Sequence, residues 1–276
     1  MRTGRTATVR DGQLLPERGL RRRGACAALL AFPLLLAGCD TFFGESEGPP
    51  LPGERISVLR LTRDLAADPA LADLRVRLPE PYSNPDWPQA GGYSTHAMHH
   101  LAASGPLNRV WSADIGEAAG DDRYLLGVPV IAGGRIYTID AGATVTAFDA
   151  GSGQQAWRVD LTPEDEDDNL FGGGLAYDDG RLFVTTPFAL VFALDAGSGA
   201  ELWRSPASGP MRTPPAASGG RVFAVTLDNQ LIAFAADDGR RLWTHNGIAQ
   251  DAGLLGGAAP AVAGDTVVVA YSSGEL

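Results

Sequence analysis

The feature that most restricts this chain is an internal repeat. Residues 133–161 read GGRIYTIDAGATVTAFDAGSGQQAWRVDL, residues 179–207 read DGRLFVTTPFALVFALDAGSGAELWRSPA, and residues 219–247 read GGRVFAVTLDNQLIAFAADDGRRLWTHNG. The shared pattern is Gly-Arg-apolar-aromatic, then Ala-[Phe/Leu]-[Asp/Ala]-Ala, a Gly-containing turn and a Trp. Trp157, Trp203 and Trp243 are spaced by 46 and 40 residues. A repeat of this length is one supersecondary unit, which cannot bury its apolar faces alone and must stack on copies of itself.

Each unit reads as four short strands. In the first, Pro129–Ala132 is strand A, Arg135–Ile139 alternates with period two as strand B, Val145–Phe148 is strand C and Gln155–Val159 is strand D. Gly133-Gly134 is a tight-turn signal between A and B, and Asp149-Ala-Gly-Ser-Gly153 marks the turn between C and D. Four strands every 40–46 residues is the period of a propeller blade, so the fold class read here is all-β, a β-propeller of four-stranded blades. The blades are placed at 129–161, 175–207 and 215–247, with part of a fourth at 259–276 and a lone closing strand at 107–116 around Trp111. The pattern stops inside that fourth unit, which reads as a longer chain cut short. Eight such blades would need roughly 350 residues.

Trp111, Trp157, Trp203 and Trp243 tempt a reading as substrate platforms. Recurrence at one place in every unit instead makes them structural residues that pack blade against blade. Asp149 and Asp195 are expected to hydrogen-bond turn backbone, because they recur by blade rather than converge on one site.

The N-terminus reads as an address. Arg21–Arg23 form a positive region, and residues 25–37 form an apolar run of 13, too short to span a bilayer as a helix and suited to a secretory signal. It ends Leu36-Ala37-Gly38-Cys39, which resembles the lipobox of bacterial lipoproteins. That resemblance implies cleavage of residues 1–38 and lipidation of Cys39, with residues 40–54, rich in Pro, Gly and acids, as a tether and 55–106 as a pre-propeller segment. Residues 1–19 precede a complete signal and suggest an upstream start. Asp40 resembles an enteric inner-membrane retention signal, so the choice of membrane stays open at this stage.

Charge and cysteine usage exclude several classes. The net charge is −11, all basic residues are Arg, and no basic cluster lies outside the extreme N-terminus, which argues against nucleic acid as a partner. Both cysteines, Cys26 and Cys39, fall in the first 40 residues, so the body has no Cys-ligated metal site. His96, His99 and His100 and the run Glu164–Asp168 are weighed as metal ligands, and read better as surface or packing segment and solvated loop. No G-x-S-x-G, P-loop or H-E-x-x-H occurs, so no catalytic residue, cofactor or metal ligand is assigned.

The run Ala147-Phe-Asp149-Ala-Gly-Ser152-Gly153-Gln-Gln-Ala-Trp157 and its counterpart from Ala193 to Trp203 resemble the quinoprotein-type propeller repeat. The third copy departs at Ala235 and Asp238. Lipobox, tether and these repeats together resemble the BamB family of outer-membrane β-barrel assembly lipoproteins. Asn84–Gly92, His96–Leu101 and Phe171–Arg181 look like the alphaproteobacterial version. The resemblance implies an eight-bladed, non-enzymatic scaffold at the periplasmic face of the outer membrane. Such a scaffold binds the periplasmic domains of the barrel-assembly channel protein, works beside other assembly lipoproteins and aids insertion of unfolded outer-membrane proteins. By rough alignment it implies partner contacts near Met211, Arg212 and Asp251, on the loops joining strand D to the next strand A. The alternative is a PQQ-dependent quinoprotein dehydrogenase, whose family holds its cofactor over the central channel with a calcium ion and a catalytic Asp, often beside a vicinal cysteine pair. No such constellation is found in the sequence.

Overall fold

The computed structural model describes residues 68–71, 73–103, 105–121, 123–166, 171–250 and 255–276. Cys39, Asp251, the signal and tether segments and part of the acidic run Glu164–Asp168 lie outside them. The chain divides into two compact units, Met1–Leu74 and Arg75–Leu276. Of the first, the described part holds a single 3-10 turn, Pro69–Leu71.

The second unit is all-β. Three antiparallel four-stranded sheets follow one another: β1 (Val130–Ala132), β2 (Arg135–Ile139), β3 (Thr144–Asp149) and β4 (Gln155–Asp160); β5 (Gly174–Asp178), β6 (Arg181–Thr185), β7 (Leu190–Asp195) and β8 (Glu201–Pro206); β9 (Ala216–Ser218), β10 (Arg221–Val225), β11 (Gln230–Ala235) and β12 (Arg241–Asn246). A two-stranded sheet of β13 (Ala261–Ala263) and β14 (Thr266–Val268) comes next. Strands pair in chain order within each sheet, which is the meander of a propeller blade. The first strands β1, β5, β9 and β13 neighbour one another in succession and so line the axis. Residues 107–116 form no strand and pair with no sheet of the described residues.

Local chemistry sets these units. Gly133-Gly134, Asp179-Gly180 and Gly219-Gly220 all have positive φ at both central positions, the conformation of the two-residue hairpin that matches strand twist. In β3 against β4, β7 against β8 and β11 against β12, the register shifts at the same step, after Ala147, Ala193 and Ala233. Each bulge skips the residue before the Trp and adds local twist.

The core lies between sheets rather than inside one. One apolar cluster joins Val130, Tyr137 and Val145 to Leu175, Leu182 and Leu194; a second joins Phe183 and Val191 to Val222 and Ile232; a third joins Phe223 and Leu231 to Val262 and Val269. The middle strands are therefore buried on both faces, as in β7. By contrast β12 is exposed along its length, and Trp243 is 39% exposed where Trp203 is 8%.

Candidate functional site: sheet seams, channel strap and loop rim

Three of the four repeat tryptophans make one contact in common. The indole N–H of Trp111 donates to the Ala150 carbonyl at 3.0 Å, that of Trp157 to Ala196 at 3.1 Å and that of Trp203 to Ala236 at 2.9 Å. Each ring also lies on the glycine that ends the same turn, Gly153, Gly199 and Gly239, where a Cβ would stand within 2.7 Å of ring carbon. Inside its own sheet, each blade Trp meets an aromatic side chain: Tyr137 with Trp157, Phe183 with Trp203 and Phe223 with Trp243, at 5.9–6.0 Å between centroids.

The arginines of the first two Gly-Arg pairs reach the same seams, a role the sequence reading missed, while Arg221 faces the β13–β14 turn at Gly264 O, 3.4 Å away. Arg135 donates to Ala196 O at 2.9 Å and Gly197 O at 2.5 Å; Arg181 donates to Ala236 O and to Asp237 Oδ1, both at 2.7 Å. The signal was present in the recurrence of Arg at the first position of the second strand in the three four-stranded units. Within the turns, Asp149 and Asp195 each accept from the N–H and hydroxyl of a serine, Ser152 and Ser198, at 2.6–2.8 Å. Those bonds favour the ionised form and hold both carboxyls below the ordinary carboxylate range.

Two further groups fix the segments that precede the sheets. Asp140, whose side chain is fully buried, accepts from the N–H groups of Gly142, Thr144 and Glu117 at 2.8–3.0 Å and faces Arg158 at 3.4 Å. It ties residues 111–117 to the first sheet. The strap Asn84–Ser94 runs across the inner edges of all four sheets. Trp87 exchanges two backbone hydrogen bonds with Ile131, Pro88 O accepts from Tyr177 N, the Gln89 side chain bonds both backbone groups of Ala217, and Ser94 O accepts from Val262 N.

The loop rim lies at the opposite ends of the strands from these A–B hairpin turns. Arg212 on the β8–β9 loop places its guanidinium 4.7 Å over the ring of Phe171 on the β4–β5 loop. The two loops approach closely at Gly172, φ +133°, where a Cβ would meet Met211 O at 2.7 Å. Beside Arg212 opens a cavity of about 210 Å³, walled by Val225, Leu227, Ala258, Ala270 and Tyr271. The Asn229 side chain, also at this cavity, donates to Ile248 O and accepts from Ser272 N and Oγ.

A family model described as outer membrane protein assembly factor BamB matches residues 102–171 and 141–276, together more than half of the chain. The chain belongs to the BamB family. No curated protein sequence matches it. Among solved structures it is similar to BamB from Moraxella catarrhalis, at 22% identity and a TM-score of 0.36, covering 41% of this chain and 34% of that one. It is also similar to the quinohemoprotein alcohol dehydrogenase of Comamonas testosteroni, at 21% identity and a TM-score of 0.47, covering 58% and 27%. For a europium-containing methanol dehydrogenase the values are 23%, 0.42, 49% and 26%. The chain thus spans about a quarter to a third of the length of these proteins.

Of the two described residues that the BamB resemblance marks for partner contact, one is not on the surface. Met211 is fully buried, packed in the second core cluster, and its N–H donates to Thr186 O at 3.2 Å. It fills the gap between two sheets and presents nothing to a partner, which corrects its reading as a loop-borne anchor. Arg212 is half-buried at the cavity mouth. His96, His99 and His100 do not gather: the His96 ring lies against Gly91, and His100 Nδ1 is 2.8 Å from Pro79 O. Among the described residues no three His, Cys, Asp or Glu side chains are placed to hold one metal ion.

Proposed function

We infer that this member of the BamB family is a lipid-anchored periplasmic scaffold for outer-membrane β-barrel assembly. It binds the periplasmic domains of the barrel-assembly channel protein, works beside other assembly lipoproteins and helps present unfolded outer-membrane proteins for insertion. Cys39 carries the anchor, and the outer membrane is the site. The observation that carries this reading is the family match across residues 102–276, with the loop rim as the surface that suits it. A protein-docking surface needs rigid loops, an apolar recess and a charge to fix register. The rim offers all three in the interlocked 171–172 and 211–214 loops, the cavity between Val225 and Tyr271, and the Arg212 guanidinium. An arginine half-buried against an aromatic ring loses less hydration on docking than a free one and suits pairing with a partner carboxylate.

The test is capture of the channel protein's periplasmic domains by the purified chain and by Arg212→Glu. Weakened capture with unchanged thermal unfolding supports the reading. Equal capture by both proteins overturns the assignment to this rim. Tight, calcium-dependent binding of PQQ by the same preparation would instead favour the quinoprotein dehydrogenase reading.

A further inference from the structure

The strap Asn84–Ser94 meets the sheets in an unusual way. A strand that adds to a sheet runs along one edge and pairs with it repeatedly. This strap crosses four edges and touches each once or twice. The inner edge of a blade carries N–H and C=O groups that nothing in its own sheet can satisfy. Ile131, Tyr177, Ala217 and Val262 sit on those edges, in β1, β5, β9 and β13. Trp87 N and O serve Ile131 at 2.7 and 2.8 Å, Pro88 O serves Tyr177 N at 2.7 Å, and Ser94 O serves Val262 N at 2.6 Å. Gln89 spans the third edge with its amide, Nε2 donating to Ala217 O at 2.6 Å and Oε1 accepting from Ala217 N at 3.0 Å.

The residue types fit these positions. Pro88 has no N–H to leave unpaired and contributes a carbonyl alone. Gln is the side chain that copies a backbone pair, one donor and one acceptor on a planar amide. Gln89 is 4% exposed, so its partners cannot be replaced by water. Gln89 and Gly92 also exchange backbone hydrogen bonds at 2.9 Å, closing a turn through Gly91, φ +83°, and Gly92, φ +100°, that carries Ser94 on to the fourth sheet. Asp86 Oδ1 caps the first hairpin at Gly133 N, 3.1 Å away.

We propose that the inner edges of the four sheets form one binding site for an extended peptide segment, and that residues 84–94 are its resident intramolecular ligand. The site holds the ligand's backbone at three sheets and one planar amide at the other, so its ligand class is a segment extended through a Pro followed by Gln and then turned at glycine. The strap seats and leaves as a unit, because Trp87, Pro88 and Gln89 are consecutive and cannot release one edge while holding the next two. Seated, it lies over the inner edges at the end bearing the A–B hairpin turns.

The test is amide-resolved hydrogen exchange on the full chain and on Gln89→Ala. Ala217 N loses its own acceptor in the variant and reports nothing else. Ile131, Tyr177 and Val262 keep theirs unless the strap leaves. The expected result is a loss of protection at all four amides together, about tenfold or more, with Phe183 and Phe223 in the middle strands unchanged. A peptide of residues 84–94 added in trans then restores protection at the three reporter amides. Where Gln89→Ala unfolds the chain, Gly91→Ala replaces it; its Cβ strains the turn and meets the His96 ring at 2.9 Å without touching a sheet. Loss at Ala217 alone, or failure of saturating peptide to restore the others, overturns the proposal.

Discussion

The carbonyl oxygen of Ala196 receives the indole N–H of Trp157 at 3.1 Å, across the seam between the first and second sheets. Two more donors from the first sheet converge on that oxygen, Arg135 Nη1 at 2.9 Å and Tyr137 OH at 3.2 Å. A single turn residue is thus held by three side chains of the preceding unit. The same relation recurs at Ala236 with Trp203 and Arg181, so these two seams are directional: the first and second sheets each grip the next by its C–D turn.

Gly199 is the residue this seam tolerates least in altered form. Gly199 and Gly180 share a φ of +76°, but a Cβ at Gly180 meets nothing within 4 Å, whereas at Gly199 it meets Trp157 Cε3 at 2.7 Å. Gly180→Ala is expected to cost about 1–2 kcal/mol from backbone strain alone. Gly199→Ala adds overpacking of about 1–3 kcal/mol. Urea unfolding of the two variants measures the difference, and equal midpoints would refute the close packing.

Asp140 holds the segment ahead of the first sheet. Asp140→Ala leaves the N–H groups of Gly142, Thr144 and Glu117 without an acceptor and Arg158 without a partner. The expected loss is about 3 kcal/mol, since a buried carboxylate with several donors is removed. Limited proteolysis should cut within residues 105–121 in the variant before the sheets are attacked.

Acid should loosen the C–D turns. Asp149 and Asp195 have folded pKa values lowered by their serine hydrogen bonds. Their contribution is present above the unfolded pKa and is lost as pH falls through the lower folded value. Asp149→Asn and Asp195→Asn should therefore unfold with less dependence on pH below about 4 than the parent. Asp178 has the opposite sign: burial first and Asp179 second raise its pKa, so its ionised form weakens the fold at neutral pH. Asp178→Asn should raise the melting temperature at pH 7 and lose that advantage as acid protonates the parent. A melting temperature equal to the parent's at pH 7 contradicts this sign.

Met211 and Arg212 separate stability from binding. Met211→Ala empties a fully buried site and is expected to cost about 2–4 kcal/mol of stability. Arg212→Glu removes a guanidinium that rests on Phe171 at the rim, and should change unfolding by less than about 1 kcal/mol while weakening partner capture. Scanning calorimetry and capture on both variants resolve the two roles.

The sequence by itself determined the strands and their turns. Arg135–Ile139 is read from alternation and found at those residues, and the Gly-Gly and Asp-Gly pairs mark hairpins because positive φ at two successive positions is a local demand. Such features depend on neighbours a few residues away, so they are written where they act. The fate of Met211 is not local. Pro210-Met211-Arg212-Thr213-Pro214 reads as an exposed loop, yet a gap between two sheets draws the Met side chain inward. The seam contacts of Arg135 and Arg181 reach 55–62 residues along the chain, and Gln89 meets Ala217 across 128. Only the stacking of the sheets brings these groups together, because a blade buried on both faces carries no pattern to say which neighbour covers it. Tertiary structure alone therefore decided which carbonyl each Trp and Arg holds, and that a strap ahead of the repeats crosses all four inner edges.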